Sequence, residues 1–481
     1  MMRVLLARLS LILLTIRDLQ FQHLWRLLLS AGLVMTIMGI GTGLVSRSPA
    51  ESYSAFATMP VANAQSPDET LKTSSTYTIF LPLISNNFCG ESFSFNETIR
   101  YNLSAINADD TWDCYRGQGI IVAVVDTGID QDHPDLADNI ISGATFVSGT
   151  SSPEDDNGHG THVAGIIAGA GNNDGIIGVA PEASLMPIKV LDSSGSGTVY
   201  DVASGIVWAA DSGANIINLS LGGVSYSSTL ADAVDYAYGK GVLLIAAGGN
   251  CGDSSYALNG CYYQDQPQYP AALSNVMAVA STTSSNLQSS FSNQGTYIEI
   301  SAPGSSIYST YLYNGYTTLS GTSQAAPHVA GVAALIWAAH PEWSQDEVRD
   351  QLNATAQDLG ESGWDSLYGY GLVDASAALG MQQTLEENVA QQTLTETAAA
   401  DVDTSYVPGE IIIKLPADMD VTDIVDEVGI SSTDIQIKDT IPQTKLQRVL
   451  VGHGREKEML EQLKKSAGIE FAELNYYVSI Q

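Results

Sequence analysis

A carboxylate, an imidazole and a hydroxyl lie far apart along this chain, each in a short segment that contains glycine. Asp126 lies in the mostly apolar segment VAVVDTGID, His159 lies in NGHGTHVAG, and Ser323 lies in SGTSQAAPHVAG. A carboxylate that ends a buried strand needs a partner. A histidine oriented by a carboxylate and placed beside a hydroxyl is what nucleophilic catalysis by serine requires. The sequence therefore predicts that these residues meet in one catalytic site.

These segments resemble the motifs of the subtilisin family of serine peptidases in residue type, spacing and chain order. The resemblance covers about residues 99–380 and implies peptide-bond hydrolysis through an acyl-enzyme, with no cofactor. It implies that Ser323 is the nucleophile, that His159 is the general base and acid, and that Asp126 orients the imidazole. Asn250, which ends the segment VLLIAAGGN, matches the family's oxyanion asparagine.

The same resemblance implies a strand edge that pairs with an extended peptide substrate. Small residues along that edge leave room for the peptide backbone. Peptides and unfolded proteins are the implied substrates, with an apolar residue before the cut. The residues implied to bind substrate are Ser220, Leu221, Gly222, Gly223, Ala247 and Gly248.

Two other functions fit parts of the sequence. One is a binding or scaffold protein on an inactive peptidase fold, which a missing catalytic residue would favour, and none is missing. The other is a maturation enzyme with one dedicated substrate, which the sequence does not separate from a broad peptidase.

Two further histidines, His162 and His328, are predicted to be structural. His162 follows His159 by three residues, which places both on one helix face and suggests a two-histidine metal site, but no nearby acidic ligand fits the HExxH pattern. We therefore expect His162 to be packed and hydrogen-bonded, and His328, beside Pro327, to be structural as well.

The resemblance also raises the question of a structural calcium ion. Asp135 matches a position that binds calcium in part of the family, although the facing loop at 171–178 is about one residue shorter than in those members. The acidic loop at 154–156 is predicted to be solvated rather than to bind a metal.

Buried strands alternate with helical stretches through the main domain, predicted at residues 99–380. Nearly continuous β-branched segments are typical of a parallel sheet covered on both faces. We therefore predict an α/β fold, a three-layer sandwich with a mostly parallel sheet of the subtilisin type. The predicted strands are Ile120–Val125, Leu185–Val190, Ile216–Leu221, Val242–Ala247 and Val276–Ala280.

A second, smaller domain is predicted at residues 405–481, after a polar linker at 381–404. Its predicted order is β-α-β-β-α-β, a ferredoxin-like α+β arrangement. The predicted elements are Glu410–Leu415, Val421–Val428, Ile435–Lys438, Leu446–Val451, Glu456–Lys465 and Ile469–Ile480.

Both ends of this small domain, YVPGEIIIKL and FAELNYYV, resemble the inhibitory propeptide domain of the same family. The resemblance implies an intramolecular inhibitor that docks on two surface helices and lays its last strand in the cleft, with Gln481 near the site. The alternative is a stabilising or cell-surface domain that never touches the site.

The N-terminal residues 1–64 are predicted to direct export. Arginines precede the apolar segment Leu27–Val45, and Ala62-Asn63-Ala64 has the small-x-small form of a signal-peptidase site. The alternative is an uncleaved membrane anchor formed by residues 27–45. Residues 65–98 are predicted to be a linker, and the protein to be extracellular.

Charge and cysteine content agree with an exported protein that does not bind nucleic acid. The chain has 19 Lys and Arg against 53 Asp and Glu, a net charge of −34 that repels nucleic acid and anionic membrane surfaces. Membrane contact is expected only through the N-terminal segment. The 4 cysteines suit an oxidising compartment; their proximity favours the pairs 251–261 and 89–114, and no CxxC spacing supports a metal site.

Overall fold

The computed structural model describes residues 93, 95–172, 175–253, 257, 260–381, 406–416, 419, 421, 430, 435–466 and 468–481. The predicted signal or anchor and nearly all of both predicted linkers lie outside the described residues. Among the helices described, none combines the length and the apolar character needed to cross a membrane.

A seven-stranded parallel sheet forms the centre of the main domain. Every predicted strand is present, with ends that differ from the prediction by one or two residues. The strands in spatial order are β2 (Ala144–Thr145), β3 (Ser184–Lys189), β1 (Ile121–Asp126), β5 (Ile216–Leu219), β7 (Leu243–Ala247), β8 (Val276–Thr282) and β9 (Ile298–Pro303). All neighbouring pairs in this sheet are parallel.

Helices cover both faces of the sheet, as the three-layer prediction requires. Val122 and Val124 pack with α2 and α5, whereas Ala123 and Val125 pack with α3 and α4 on the other face. This alternation follows from the period of two along a strand. The helices are α1 (Tyr101–Ser104), α2 (His159–Ala168), α3 (Val199–Asp211), α4 (Ser228–Gly239), α5 (Thr322–Ala339), α6 (Gln345–Thr355) and α7 (Ala375–Ala378).

Short strands that the sequence did not indicate border the central sheet. They are β4 (Ser196–Thr198) and the hairpin of β10 (Ile307–Tyr311) and β11 (Gly315–Leu319). Strand β6 (Leu221–Gly222) begins at the last residue of the predicted strand Ile216–Leu221 and lies within the edge predicted to pair with substrate. β4 and β6 both pair with the last strand of the chain.

The C-terminal domain is an antiparallel sheet in the order β13, β14, β12, β15. One face packs on α8, and residues of the other face join the apolar cluster of α3 and α4. Its elements are β12 (Tyr406–Lys414), β13 (Ile435–Ile441), β14 (Leu446–Val451), α8 (Glu456–Leu463) and β15 (Phe471–Ile480). The four strands and the second helix agree with the prediction, while residues 422–429, where the first helix is predicted, lie outside the described residues.

A disulfide joins Cys251 to Cys261, as predicted from their proximity. Cys114 is also disulfide-bonded. Its predicted partner, Cys89, lies outside the described residues.

Candidate active site

Asp126 and His159 form a buried pair at the carboxyl end of β1. His159 Nδ1 lies 2.8 Å from Asp126 Oδ1, which also accepts a 2.7 Å hydrogen bond from the Thr127 amide. The carboxylate holds the imidazole proton on Nδ1 and leaves His159 Nε2 as the atom that accepts a proton. Burial opposes the charging of His159, but the charge and hydrogen bond of Asp126 outweigh burial and raise the pKa of this imidazole.

Glycine at position 160 lets helix α2 approach the Asp126 loop closely. A methyl group built on Gly160 would overlap the carbonyl oxygen of Gly128. The Gly160 amide donates a 2.9 Å hydrogen bond to Thr127 Oγ1. The helix that begins with His159 is therefore held directly against the residue that follows Asp126.

Replacing Gly160 with alanine should lower kcat by roughly 10²-fold, because a misplacement of about 1 Å in an active site costs that much. The matched control is Gly239→Ala in α4, where an added Cβ meets no heavy atom within 4 Å and alanine suits a helix better than glycine. Turnover per titrated active site measures both variants. Equal kcat in the two would refute this account of the motif.

A second buried carboxylate, that of Asp155, organises the start of α2. Its Oδ1 accepts hydrogen bonds of 3.0 Å from the amides of Asn157 and Gly158, and its Oδ2 accepts from the Thr161 amide at 3.0 Å and hydroxyl at 2.6 Å. The prediction that this loop is solvated is therefore wrong for Asp155, because four hydrogen-bond donors of the protein take the place of water around its carboxylate. The overlooked signal is an acidic residue just before a glycine-bounded helix start, which favours carboxylates.

Asp155→Asn should move the acidic limb of the pH profile of kcat/KM to lower pH. The charge of Asp155 raises the pKa of His159, and His159 must be neutral to accept a proton, so activity appears as the pH rises through that pKa. Removing the charge of Asp155 lowers the pKa of His159, so activity appears at a lower pH. Hydrolysis of an uncharged peptide over a pH series measures the limb, and Glu154→Gln, which removes an exposed neighbouring charge, should leave it in place. An unmoved limb in Asp155→Asn would contradict this coupling.

Ser323, the second residue of α5, is fully buried beneath the last residues of the sequence. Its Oγ lies 2.9 Å from the Ser220 carbonyl oxygen, accepts a 3.1 Å hydrogen bond from the Gln481 amide and donates to the Gln481 carbonyl oxygen. The hydroxyl has one proton, so the two carbonyl oxygens share it. His159 Nε2 has no hydrogen-bond partner in the part of the chain that the structure describes.

Asn250, just beyond β7, borders the same carbonyl group. Its Oδ1 accepts hydrogen bonds from the Thr322 amide at 3.0 Å and the Thr322 hydroxyl at 3.1 Å. A Cβ built on Gly321 would lie 3.0 Å from the Gln481 carbonyl oxygen and 3.2 Å from Asn250 Nδ2. The side-chain amide and the carbonyl oxygen therefore face one small space that glycine leaves open.

The last strand, β15, lies between β4 and β6 and pairs antiparallel with both. The partners are Tyr477 with Thr198, Val478 with Gly197, Ser479 with Ser196 and Gly222, and Ile480 with Leu221. Pairing of this kind is how an extended peptide is recognised by strand addition. The end of the C-terminal domain thus occupies the cleft in the manner of a bound peptide.

Glu473 and Asn475 join the C-terminal domain to the amino ends of two helices. Glu473 accepts hydrogen bonds at the start of α4 from Ser227 Oγ at 2.7 Å and from the amides of Ser228 and Thr229 at 2.9 Å. Asn475 Oδ1 accepts a 3.3 Å bond from the Tyr200 amide in α3. These contacts satisfy amides that a helix leaves unpaired, and the carboxylate meets the positive end of the helix dipole.

Arg448 makes the main charged contact across this interface. Its guanidinium lies 3.2 Å from Asp201 of α3 and 2.6 Å from Asp439 of its own domain, and 4.2 Å from the centroid of the Tyr200 ring. Lys414 Nζ, at the end of β12, lies 2.5 Å from Asp232 of α4. Arg448 is buried and its partners are partly buried, so removing one of these carboxylates would leave the guanidinium less compensated.

Most residues predicted to bind substrate contact Ser323 or the last strand. They are Ser220, Leu221, Gly222 and Gly223. Gly222 also accepts a 3.2 Å hydrogen bond from Gln481 Nε2. Ala247 and Gly248 lie at the carboxyl end of β7, where the Gly248 amide bonds to the Val279 carbonyl oxygen at 2.9 Å rather than to β15.

His162 and His328, the two histidines predicted to be structural, are both buried. His162 Nε2 lies 3.1 Å from the Ile307 carbonyl oxygen, and His328 Nε2 lies 2.8 Å from Asn102 Nδ2. Burial lowers the pKa of His162 to about 3 and that of His328 to about 4. Among the described residues, neither histidine belongs to a group with metal-ligand geometry.

Asp135, the predicted calcium ligand, is fully buried. Its Oδ2 accepts 2.9 Å hydrogen bonds from the Ile176 amide and the Tyr316 hydroxyl, while its Oδ1 has no hydrogen-bond partner among the described residues. An oxygen of this kind suits a hard cation, but residues 173 and 174 of the facing loop lie outside the described residues, so calcium here stays a prediction. A separate acidic group, with ligand atoms within 4.8 Å of one another, consists of Asp130, Asp132 and Glu154.

Comparison with known proteins agrees with this geometry. The family model described as "Subtilase family" matches residues 117–371, just over half of the chain. The chain belongs to the subtilase family. This subtilase is a serine-type endopeptidase, as its similarity to subtilisins and thermitase supports. A second model, "Fervidolysin N-terminal prodomain", matches residues 393–475 at the other end of the chain.

Individual relatives align along the catalytic part of the subtilase. Subtilisin DY of Bacillus licheniformis is 47% identical over 283 residues, covering 59% of this chain and 99% of that protein. Thermitase of Thermoactinomyces vulgaris is 46% identical over 281 residues, covering 58% and 95%. M-protease of Shouchella clausii is 49% identical over 262 residues, covering 54% and 64%.

Proposed function

We propose that this subtilase hydrolyses peptide bonds with Ser323 as nucleophile, His159 as general base and acid, and Asp126 as the group that orients the imidazole. One observation carries the proposal. The backbone carbonyl oxygen of Gln481 accepts a hydrogen bond from Ser323 Oγ at the end of a strand that pairs with β6, in the same domain as the Asp126–His159 pair.

The chemistry follows from the arrangement of donors and acceptors. When a substrate carbonyl replaces that of Gln481, Ser323 Oγ attacks its carbon and the hydroxyl proton passes to His159 Nε2. Asp126 stabilises the imidazolium through the 2.8 Å contact at Nδ1. His159 then protonates the leaving amine, and water hydrolyses the resulting ester by the same route in reverse.

Asn250 is proposed to stabilise the oxyanion through its Nδ2. The side chain is preorganised because its Oδ1 accepts both hydrogen-bond donors of Thr322. This leaves Nδ2 on the side of the space shared with the Gln481 carbonyl oxygen. A fixed donor aimed at developing charge is worth roughly 10²–10³ in turnover, as for the corresponding asparagine of subtilisin.

The C-terminal domain is proposed to inhibit the enzyme in cis. Support comes from the paired last strand, from Glu473 at the start of α4 and from the match to a family prodomain. A product-like strand that covers Ser323 competes with every peptide substrate. A purely stabilising domain would not need to pair with both edges of the cleft.

Export, peptide substrates and an extracellular site of action complete the proposal. The apolar N-terminal segment supports export. The Cys251–Cys261 disulfide suits an oxidising compartment. Peptides and unfolded proteins fit an extended strand in the cleft. Gln481 is polar where the family resemblance implies an apolar residue before the cut, and its side-chain amide is accommodated by the Gly222 carbonyl oxygen.

A fluorophosphonate probe tests the assignment directly, because it reacts with an activated serine. We expect the probe on Ser323 by peptide mapping, and expect a peptide library to show cleavage at many sequences. Absence of labelling in a folded chain whose cleft is unblocked would refute the enzyme assignment. Cleavage of a single library sequence would instead favour a dedicated maturation enzyme.

A further inference from the structure

The backbone on both sides of Asn250 is held by one buried residue from another loop. Asn293 lies between β8 and β9 and is fully buried. Its backbone amide donates a 2.9 Å hydrogen bond to the Gly249 carbonyl oxygen, and its Oδ1 accepts a 2.6 Å hydrogen bond from the Cys251 amide. Asn293 therefore binds the peptide group that precedes the Asn250 Cα and the peptide group that follows it.

The side-chain nitrogen of Asn293 continues this set of hydrogen bonds to a third peptide group. Its Nδ2 donates to the Gln266 carbonyl oxygen at 2.7 Å and to the Tyr297 hydroxyl oxygen at 2.8 Å. The Tyr297 hydroxyl donates in turn to the Gly248 carbonyl oxygen at 2.7 Å. Both protons of the Asn293 amide are thus used, and its orientation is determined, because the Gln266 carbonyl can only accept. Three successive peptide groups of the segment 248–251 are bound in this way.

Thr322, next to the nucleophile, holds the side chain of the same asparagine. Its amide and its hydroxyl both donate to Asn250 Oδ1, and its hydroxyl oxygen accepts a 3.0 Å hydrogen bond from the Gly249 amide. These bonds set the direction of the Asn250 side chain relative to Ser323. The bonds of Asn293 set the position of the backbone that carries this side chain, so the two segments together fix Nδ2.

We propose that Asn293 is a positioning residue for catalysis, which holds the backbone of Asn250 so that its Nδ2 meets the charge that develops on the substrate carbonyl oxygen. The inference rests on the proposed function, since it takes Asn250 as the oxyanion donor. A donor stabilises that charge best when it is already in place and has no reorganisation to undergo. Such a donor needs supporting residues that are themselves locked by packing and hydrogen bonds, and buried Asn293 meets this need.

Replacing Asn293 with alanine should lower kcat roughly 10- to 100-fold and leave KM unchanged. The Cys251 amide then loses its acceptor and the Gln266 carbonyl loses its donor, so the segment that carries Asn250 shifts. A misplacement of about 1 Å costs up to roughly 10²-fold in rate. The oxyanion forms only during the reaction, so the loss falls on kcat and not on substrate binding.

The test is a double-mutant cycle in the full chain, with kcat measured per active site titrated with a fluorophosphonate. Asn293→Ala is made alone and together with Asn250→Ala, which removes the donor through which Asn293 is proposed to act. We expect Asn293→Ala to change kcat by no more than about 2-fold once Asn250 is alanine, the scatter of independent sites. An equal loss of kcat in both backgrounds would mean that Asn293 acts by another route, and would overturn the inference.

Tyr297→Phe repeats the test with a smaller change, which serves if Asn293→Ala does not fold. It removes the hydroxyl that joins Asn293 to the Gly248 carbonyl oxygen and keeps the ring. We expect kcat to fall roughly 5-fold, the size of one hydrogen bond, and this loss to disappear in the Asn250→Ala background. An unchanged kcat in Tyr297→Phe, or a loss that persists without Asn250, would overturn the positioning role.

Asn139→Ala is the matched control for the loss of a bridging amide. Asn139 Nδ2 donates to the carbonyl oxygens of Ala168 at 2.9 Å and Pro181 at 2.8 Å, so it joins two segments as Asn293 does but makes neither bond to the segment 248–251. This variant should lower Tm and leave kcat per titrated site unchanged. A loss of kcat as large as that of Asn293→Ala would overturn the inference.

The same cycle separates failure of this inference from failure of the proposed function. Normal kcat in Asn250→Ala would remove the oxyanion assignment, and the inference with it. Absence of fluorophosphonate labelling at Ser323, in a folded chain whose cleft is unblocked, would remove the peptidase assignment. A labelled Ser323, a large loss in Asn250→Ala and equal losses from Asn293→Ala in both backgrounds would overturn the positioning role alone.

Discussion

Replacing Ser323 with alanine is expected to lower kcat by roughly 10⁶-fold, the size of the loss known for the nucleophile of subtilisin. The hydroxyl that contacts the Gln481 carbonyl is the atom that must form the ester, and no neighbouring group replaces it. Ser320→Ala is the matched control, because Ser320 lies in the same motif, is exposed and accepts a 2.8 Å hydrogen bond from the Ser306 amide. Hydrolysis of a chromogenic peptide measures both variants.

The double variant Ser323→Ala, His159→Ala sharpens this result. Nucleophile and base act as a unit, so removing both should cost about as much as removing either one. A loss in the double variant equal to the product of the single losses would mean that the two residues act independently. Near-normal kcat in Ser323→Ala would remove the nucleophile assignment altogether.

The sequence predicted the central sheet from local patterns, and it predicted the paired carboxylate and imidazole from motifs that resemble those of a known family. Continuous β-branched segments such as the one at 120–125 have few alternatives to a buried parallel strand. The glycines around His159 are required by close backbone approach, as the overlap of a Gly160 methyl group with Gly128 shows. The motif glycine is therefore explained by a contact between two separate segments, which the family resemblance implies and local propensity does not.

The features that the sequence did not indicate depend on distant partners. Strand β4 has the sequence SGT, which has little intrinsic preference for a strand, and it forms against β15 from the far end of the chain. Asp155 looks like one acid among several in a polar loop, but four donors from a single helix start bury it. Local propensity carries no information about either contact.

Ser479→Pro is expected to raise the hydrolysis of a peptide substrate roughly 10²-fold over the wild-type chain. Ser479 pairs with strands on both sides, and proline has no amide hydrogen and does not fit a central strand. A tethered segment has a millimolar effective concentration, so against a strand affinity of about 10 μM it blocks the site roughly 100-fold. Initial rates at a substrate concentration below KM measure the release.

Ser479→Ala is the control that separates backbone pairing from side-chain contact. The Ser479 side chain is exposed, and alanine keeps the amide hydrogen, so this variant should stay as inhibited as the wild-type chain. Equal release by proline and alanine would assign the effect to the side chain. No release by proline would mean that the last strand does not control access to Ser323, and the C-terminal domain would then be a stabilising module that leaves the site open in solution.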